Sequence, residues 1–403
     1  MGRGRRRAGV NQLSIMVCLW LLVAGEVIVI GAGPGGLAVR HALHRAGRPA
    51  RVLERGPTAG ARWSGHYAGV LLNSGRKISS LPGMRMPRRY GKWVRRDDFA
   101  EYLRTYARQI DAPIEYGVTA LRIDRAGDGW TVHTTAGTTS AAAVVVATGI
   151  NGTAYRPGWA NPGGFTGKIL HTSDYHDAGP YRGSDVLVVG TGQSAHDIAL
   201  NLARGGAGRV RISVRTPPIL VPRLTLGLPS AAIAYLAKRY STSPSVIVDR
   251  SSLAMQRLFY RDASRYLGTP PVGMMTAFAE RGHGITVEAG LLAALREGRV
   301  QAVAAVERLD GRDVVLGDGR RIQPHVVVLA TGHRTGLAPM TGHLAVLGAD
   351  ERPLVHGAQT LAHAPRLHFI GYRLPGGQLP DMRFDAPSIA RKLSRDLAPS
   401  AGH

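Results

Sequence analysis

The 403-residue chain holds a single cysteine, Cys18, so one copy can form no internal disulfide, no CxxC redox pair and no cysteine-based zinc site. Lysine is almost as scarce, limited to Lys77, Lys92, Lys168, Lys238 and Lys392. Acids are few as well: 27 Asp and Glu face 51 Lys and Arg, leaving a net charge of +24. The arginines are scattered through every segment, and aromatics make up only 6% of the residues. That pattern excludes the aromatic-studded basic stripe of a nucleic-acid surface and leaves a field that attracts anionic cofactors. The 15 histidines show neither HxxxH nor HExxH spacing and no serine elbow is present, so no metal is expected.

The apolar run from Leu13 to Ala24 is short for a membrane span, although Arg3, Arg5, Arg6 and Arg7 before it give it the outline of a secretory signal. It merges at once into the first strand. Residues 1–25 are therefore expected to be an extension read from an upstream start codon, with an export signal or membrane anchor as the alternative. The rest is expected to be cytoplasmic, without stable membrane insertion.

What the chain does have is glycine in a telling order. The β-branched run Val27-Ile28-Val29-Ile30 leads into Gly31, Gly33 and Gly36, the GxGxxG spacing of a dinucleotide loop. Gly31 permits the turn, Gly33 lets backbone N–H groups reach a pyrophosphate, and Gly36 lets the next helix lie close. That helix, about Gly36 to Ala46, offers its positive end to phosphate. A second strand ends in Glu54, whose carboxylate suits a ribose diol, followed by Arg55. Trp63, after a glycine turn, is placed to pack on a flat ring or in the core. Asp98 to Arg108 reads as an amphipathic helix. Ala120 to Asp124, Trp130 to Thr135 and Ala143 to Val146 read as strands that end in Ala147-Thr148-Gly149.

The pattern then recurs. Val186-Leu187-Val188-Val189 leads into Gly190, Gly192, Gln193 and Ser194, with Ala195 in the third glycine's place, and a later strand run ends in Ala330-Thr331-Gly332. Two copies imply two dinucleotides, with Thr148, Gly149, Thr331 and Gly332 at the matching strand ends. In the second copy Arg215 stands where an acid would favour NAD, so NADPH is expected. The fold class is α/β: two Rossmann-like domains with β-meander insertions. The expected division is 26–160 with 325–403 for the first domain, 161–180 for a linker, and 181–324 for the second with a helical insertion at about 217–281. Within that insertion, Ala231 to Tyr240 and Leu253 to Tyr266 look helical and carry no catalytic motif.

Between the halves, Phe165, Gly167, His171 and Tyr175 fit the spacing FxGxxxHxxxY. With the two loops, this fingerprint makes the chain resemble a class B flavin-dependent monooxygenase from about Glu26 to Leu397. The segments Leu81-Pro82-Gly83, Met86-Pro87, Ser213-Val214-Arg215 and Ala330-Thr331-Gly332-His333 make it most similar to the YUCCA-like branch and its bacterial relatives. The resemblance implies FAD and NADPH as cofactors. It implies O2 as co-substrate, handled through a C4a-(hydro)peroxyflavin, and a small organic substrate. The chemistry implied is oxidative decarboxylation of an aromatic 2-oxo acid or N- or S-oxygenation. A flavoprotein reductase or a Baeyer–Villiger enzyme is the alternative, although the latter usually ends the fingerprint in Trp. The resemblance also places Asn73 near the flavin's reactive face, where its amide can donate and accept hydrogen bonds. His171 is expected to couple the domains rather than serve as a base.

Overall fold

The computed structural model describes residues 25–225, 227–230, 233, 245–281, 285–373 and 378–398. The expectations for residues 1–24 and for most of Ala231 to Tyr240 lie outside the described residues.

Two five-stranded parallel sheets carry the two halves. In the first the spatial order is Leu367–Phe369, Ala143–Val146, Val27–Ile30, Ala50–Glu54, Ile114–Tyr116. In the second it is Lys168–His171, Val326–Leu329, Asp185–Val189, Arg209–Val214, Gln301–Ala304. Position by position, the second repeats the first. Val27–Ile30, Ala143–Val146 and Val326–Leu329 are buried along their whole length, which is why they read as unbroken apolar runs rather than alternating ones.

Helix Pro34–Arg45 leaves the first loop with proline in its opening turn and packs its apolar face against the C-terminal helix Gln378–Asp396, through Leu379, Met382, Ala386 and Ile389. The expected amphipathic helix spans Arg96–Gln109 and buries Phe99, Tyr102, Leu103 and Tyr106. Each sheet is entered by an antiparallel meander. The first comprises Ala120–Ala126, Gly129–Thr134 and Gly137–Ala141, and the second Val306–Asp310, Asp313–Leu316 and Arg321–Ile322. The strand Gly137–Ala141 was not expected. Of its five residues only Ala141 is buried, so it carries little apolar signal.

The expected domain division needs two corrections. Val326–Leu329 pairs with Val186–Val189, so the second unit runs past residue 325. Lys168–His171, assigned to the linker, is the outer strand of that same sheet. An edge strand beside a buried one completes its backbone hydrogen bonds, and an apolar strand cannot be left as a connector. The insertion is less uniformly helical than expected: strand Leu220–Pro222 and hairpin Leu224–Thr225 with Leu228–Pro229 precede helices Ser245–Phe259, Ala263–Leu267 and Met274–Arg281.

Of the buried histidines, His196 and His368 sit with ring nitrogens in apolar surroundings. Among the described residues neither ring nitrogen of His196 has a hydrogen-bond partner, and the Nε2 of His368 has none, while its Nδ1 lies 2.9 Å from the Gly357 carbonyl. Burial lowers His196 to about 3 and His368 to about 4. Both stay neutral when folded but protonate in the unfolded chain below their ordinary 6.5, so stability is full above that pH and falls as the pH drops toward 4. Urea midpoints are expected to fall between pH 7 and pH 5. His196→Leu should remove about 2 kcal/mol of the loss in unfolding free energy across that interval.

Candidate dinucleotide sites and the cavity between them

At the first loop the backbone is packed to its limit. Gly31 has φ +104°, and a Cβ there would meet the Ala147 carbonyl oxygen at 2.9 Å; a Cβ on Gly36 would meet the Gly31 carbonyl oxygen at 1.8 Å. A Cβ on Gly33, in contrast, meets nothing within 4 Å. Gly31 and Gly36 are thus glycine for packing, whereas Gly33 faces open space of the kind a pyrophosphate fills. The Glu54 carboxylate accepts the Ala32 and Gly56 N–H groups, each at 2.7 Å, which fixes it beside the loop.

The loop opens on a cavity of about 950 Å³. Gly31, Gly33, Glu54, Arg55, Trp63, Asn73, Thr148, Gly149 and Gln193, all expected at the site, line it. Trp63 stands edge-on to Phe99 with ring centres 4.6 Å apart, so it serves core and cavity together. Thr148 hydrogen-bonds the buried Tyr372 hydroxyl at 2.7 Å. The Asn73 side chain forms no hydrogen bond among the described residues, which leaves its amide available to a ligand. The far wall is apolar: Val221, Val248, Met274, Met275, Phe278 and Val287. Most of these come from the insertion, whose apolar composition was visible in the sequence although its cavity-facing positions were not.

The second loop repeats the first. Gly190 has φ +125° and a Cβ there would lie 2.4 Å from the Ala330 carbonyl oxygen, while a Cβ on Gly192 meets nothing within 4 Å. Ala195 is fully buried in its glycine's place. Arg215 is exposed at the end of strand Arg209–Val214 and pairs with no acid among the described residues. Gln193 braces the helix start: its Nε2 donates to Asp197 at 2.9 Å and its Oε1 accepts the Val287 N–H at 2.9 Å. Gly190, Gly192, Ser194, Arg215, Thr331 and Gly332 do not line the cavity.

Phe165, His171 and Tyr175 of the fingerprint are buried, and Gly167 is half-buried. The Phe165 ring lies where a Gly167 side chain would be, at 2.5 Å. Tyr175 is fully buried and its hydroxyl donates to Asn201 at 2.6 Å. His171 is buried too. The Ser173 N–H donates to its Nδ1 at 3.1 Å, so its Nε2–H donates to the Gly332 carbonyl at 2.9 Å. Thr331 donates to the Tyr155 carbonyl at 2.5 Å, so this strand end is tied to the linker and to the ribbon formed by Thr153–Ala154 and His333–Arg334.

Three residues at this junction were not singled out from the sequence. His333 stands edge-on to His171 at 4.7 Å, and the Arg62 guanidinium lies 3.2 Å from its Nε2; Arg62 and His66 both line the cavity. Burial, then neighbouring positive groups, pushes His66 and His333 down to about 4, so both imidazoles are neutral near pH 7. A second cross-tie joins Tyr67 to Asp197 at 3.1 Å. Burial raises the Asp197 carboxyl above its ordinary value, partly offset by Gln193, Tyr67 and Arg223. His333 lies in the Ala330-Thr331-Gly332-His333 segment that carries the resemblance, whereas Arg62 and His66 have only their position beside Trp63 to mark them in the sequence.

Residues 28–225 match the pyridine nucleotide-disulphide oxidoreductase family. The chain is 31% identical over 320 residues to the indole-3-pyruvate monooxygenase YUCCA1 of Oryza sativa subsp. japonica, covering 78% of each. Its fold is similar to the flavin-containing monooxygenase of Stenotrophomonas maltophilia (TM-score 0.71, 22% identity, 93% of this chain and 99% of that one). It is also similar to cyclohexanone monooxygenase (TM-score 0.70, 19% identity, 92% and 87%). Twin nucleotide loops around a buried FxGxxxHxxxY linker are the build of a class B flavin-dependent monooxygenase. Within that class the chain belongs to the YUCCA family of flavin monooxygenases.

The two packing roles of glycine separate experimentally. Gly36→Ala is expected to destabilise the fold by about 1–3 kcal/mol in urea titrations, because helix and loop must part. Gly33→Ala should leave stability within about 0.5 kcal/mol and lose flavin, read as 450 nm absorbance after gel filtration.

Proposed function

We propose that this enzyme uses FAD at the first loop, NADPH at the second and O2 to oxygenate a small aromatic 2-oxo acid with loss of its carboxyl group. The observation that carries this reading is the single cavity running from the open face of Gly33 to the apolar wall of Met274, Met275 and Phe278. The name of the rice relative, an indole-3-pyruvate monooxygenase, supports the substrate class.

Bound FAD supplies hydride acceptance from the nicotinamide and activation of dioxygen. The residues of the chain do the rest. The open N–H groups at Gly33 and Gly192 receive the two pyrophosphates, and Glu54 accepts from a ribose diol. Arg215 clamps a 2′-phosphate. Asn73 donates and accepts at the flavin's reactive edge, and the apolar wall seats the substrate ring and excludes water.

A second reading, oxygenation of a neutral sulfide or amine, is favoured by one observation: Val221, Val248, Met274, Met275 and Phe278 offer no charge to a carboxylate. NADPH-dependent oxygen uptake with phenylpyruvate and indole-3-pyruvate, set against an aryl sulfide and an amine, tests both. Consumption of the oxo acids with release of CO2 supports the first reading. Turnover of the sulfide or amine alone replaces it by the second.

Two variants refine the assignment. Arg215→Gln is expected to raise KM for NADPH roughly 10- to 100-fold, as loss of a charge-assisted phosphate contact would, and to leave KM for NADH nearly unchanged. Asn73→Ala should keep flavin binding but return most of the oxygen as hydrogen peroxide, measured by a peroxidase-coupled assay.

A further inference from the structure

Helix Ser245–Phe259 turns the wrong face to water. Its inward side is polar at the points that hold it. Asp249 accepts the Met275 N–H at 2.6 Å and the Thr276 hydroxyl at 2.6 Å, and the Oε1 of the buried Gln256 accepts the Leu220 N–H at 2.9 Å. Val248, on the same side, lines the cavity. These ties fix the rotation of the helix about its axis.

The outward side carries Ile247, Met255 and Leu258, exposed by 56%, 41% and 73%, and Phe259 ends the helix 62% exposed. Ile247 and Leu258 share one stripe at helical spacing with Ala254 between them. Arg250 and Arg257 run beside it, and Arg261 follows; all three are exposed and pair with no acid among the described residues. Asp249 is the helix's only acid and is turned inward. A solvent-facing helix normally shows the reverse, with its apolar stripe on the core and mixed charge outside.

We propose that this face docks on an anionic lipid surface, with the apolar stripe lying among the headgroups and the arginines on lipid phosphates. Charge complementarity selects this occupant: among the described residues of the helix, the charged groups beside the apolar stripe are Arg250 and Arg257, and the whole chain carries +24. A second copy of the chain would bring arginines against arginines. Among the described residues no helix is long and apolar enough to cross a membrane. The same helix then has lipid on one side and the cavity on the other, so a substrate dissolved in the bilayer has a short route to the wall formed by Val248.

Co-sedimentation of the full, flavin-loaded chain with vesicles of phosphatidylcholine alone, or mixed with phosphatidylglycerol, tests this. The expected result is binding to the mixed vesicles, weakened by salt, and little to the neutral ones. Ile247→Asn with Leu258→Asn should lower the bound fraction at least about fivefold although every arginine is kept, and Arg250→Gln with Arg257→Gln should do the same. The second pair removes no packing and keeps the test decisive should the first fail to fold. Arg312→Gln with Arg395→Gln, on other exposed surfaces, controls for total charge. The proposal is overturned if the helix variants sediment like the parent, or if the control pair lowers binding equally. It is also overturned if the variants change only the mass measured by light scattering, which would make the face a contact between copies.

Discussion

The carbonyl of Gly31 lies in the space any side chain at position 36 would need, and the carbonyl of Ala147 does the same to position 31. Strand, turn, helix and the neighbouring strand end are therefore in backbone contact with no side chain between them. That closeness aims the start of helix Pro34–Arg45 at the cavity and leaves Gly33 open to it. The second copy is as close at its first glycine, where a side chain on Gly190 would meet the Ala330 carbonyl, but it admits a buried methyl at Ala195. Where the third glycine is replaced, the close approach at that point is relaxed, while the open middle glycine, the one a phosphate would meet, is kept in both.

The two copies are joined by polar ties as well as by apolar packing, since Tyr67 and Val70 of the first half pack into the core of the second. His171 reaches the Gly332 carbonyl, His333 touches both His171 and Arg62, and Tyr67 of the first half hydrogen-bonds Asp197 of the second. The FxGxxxHxxxY fingerprint is accordingly a description of packing. Its glycine is needed because the Phe165 ring occupies the position a side chain would take, and its histidine is a fixed neutral tautomer between a backbone N–H and a backbone carbonyl. Neither of those roles asks the imidazole to move a proton.

Much of this was legible in the sequence because it is local. A glycine loop, the strand before it and the acid or arginine at the end of the next strand all lie within one continuous stretch, and unbroken runs such as Val326–Leu329 announce a buried parallel strand. What was not legible depends on partners far along the chain. Nothing in Lys168–His171 says which sheet it joins; that is decided by Val326–Leu329, far downstream. Gly137–Ala141 is a strand through pairing with Gly129–Thr134, not through its own apolar content. His333 and Arg62 meet only because two halves fold against each other, and the cavity-facing positions of the insertion follow from the tie between Asp249 and Thr276.

The first sheet is completed by Leu367–Phe369, and its helix layer by Gln378–Asp396, both beyond the whole of the second unit. The indole of Trp130 likewise donates to the Pro365 carbonyl at 3.0 Å. During ribosomal synthesis the early half therefore waits with one sheet edge unpaired and helix Pro34–Arg45 uncovered, while the later half, contiguous from Lys168 to Leu329, has every strand it needs. The nested order makes the nucleotide cradle written first in the gene the last to close.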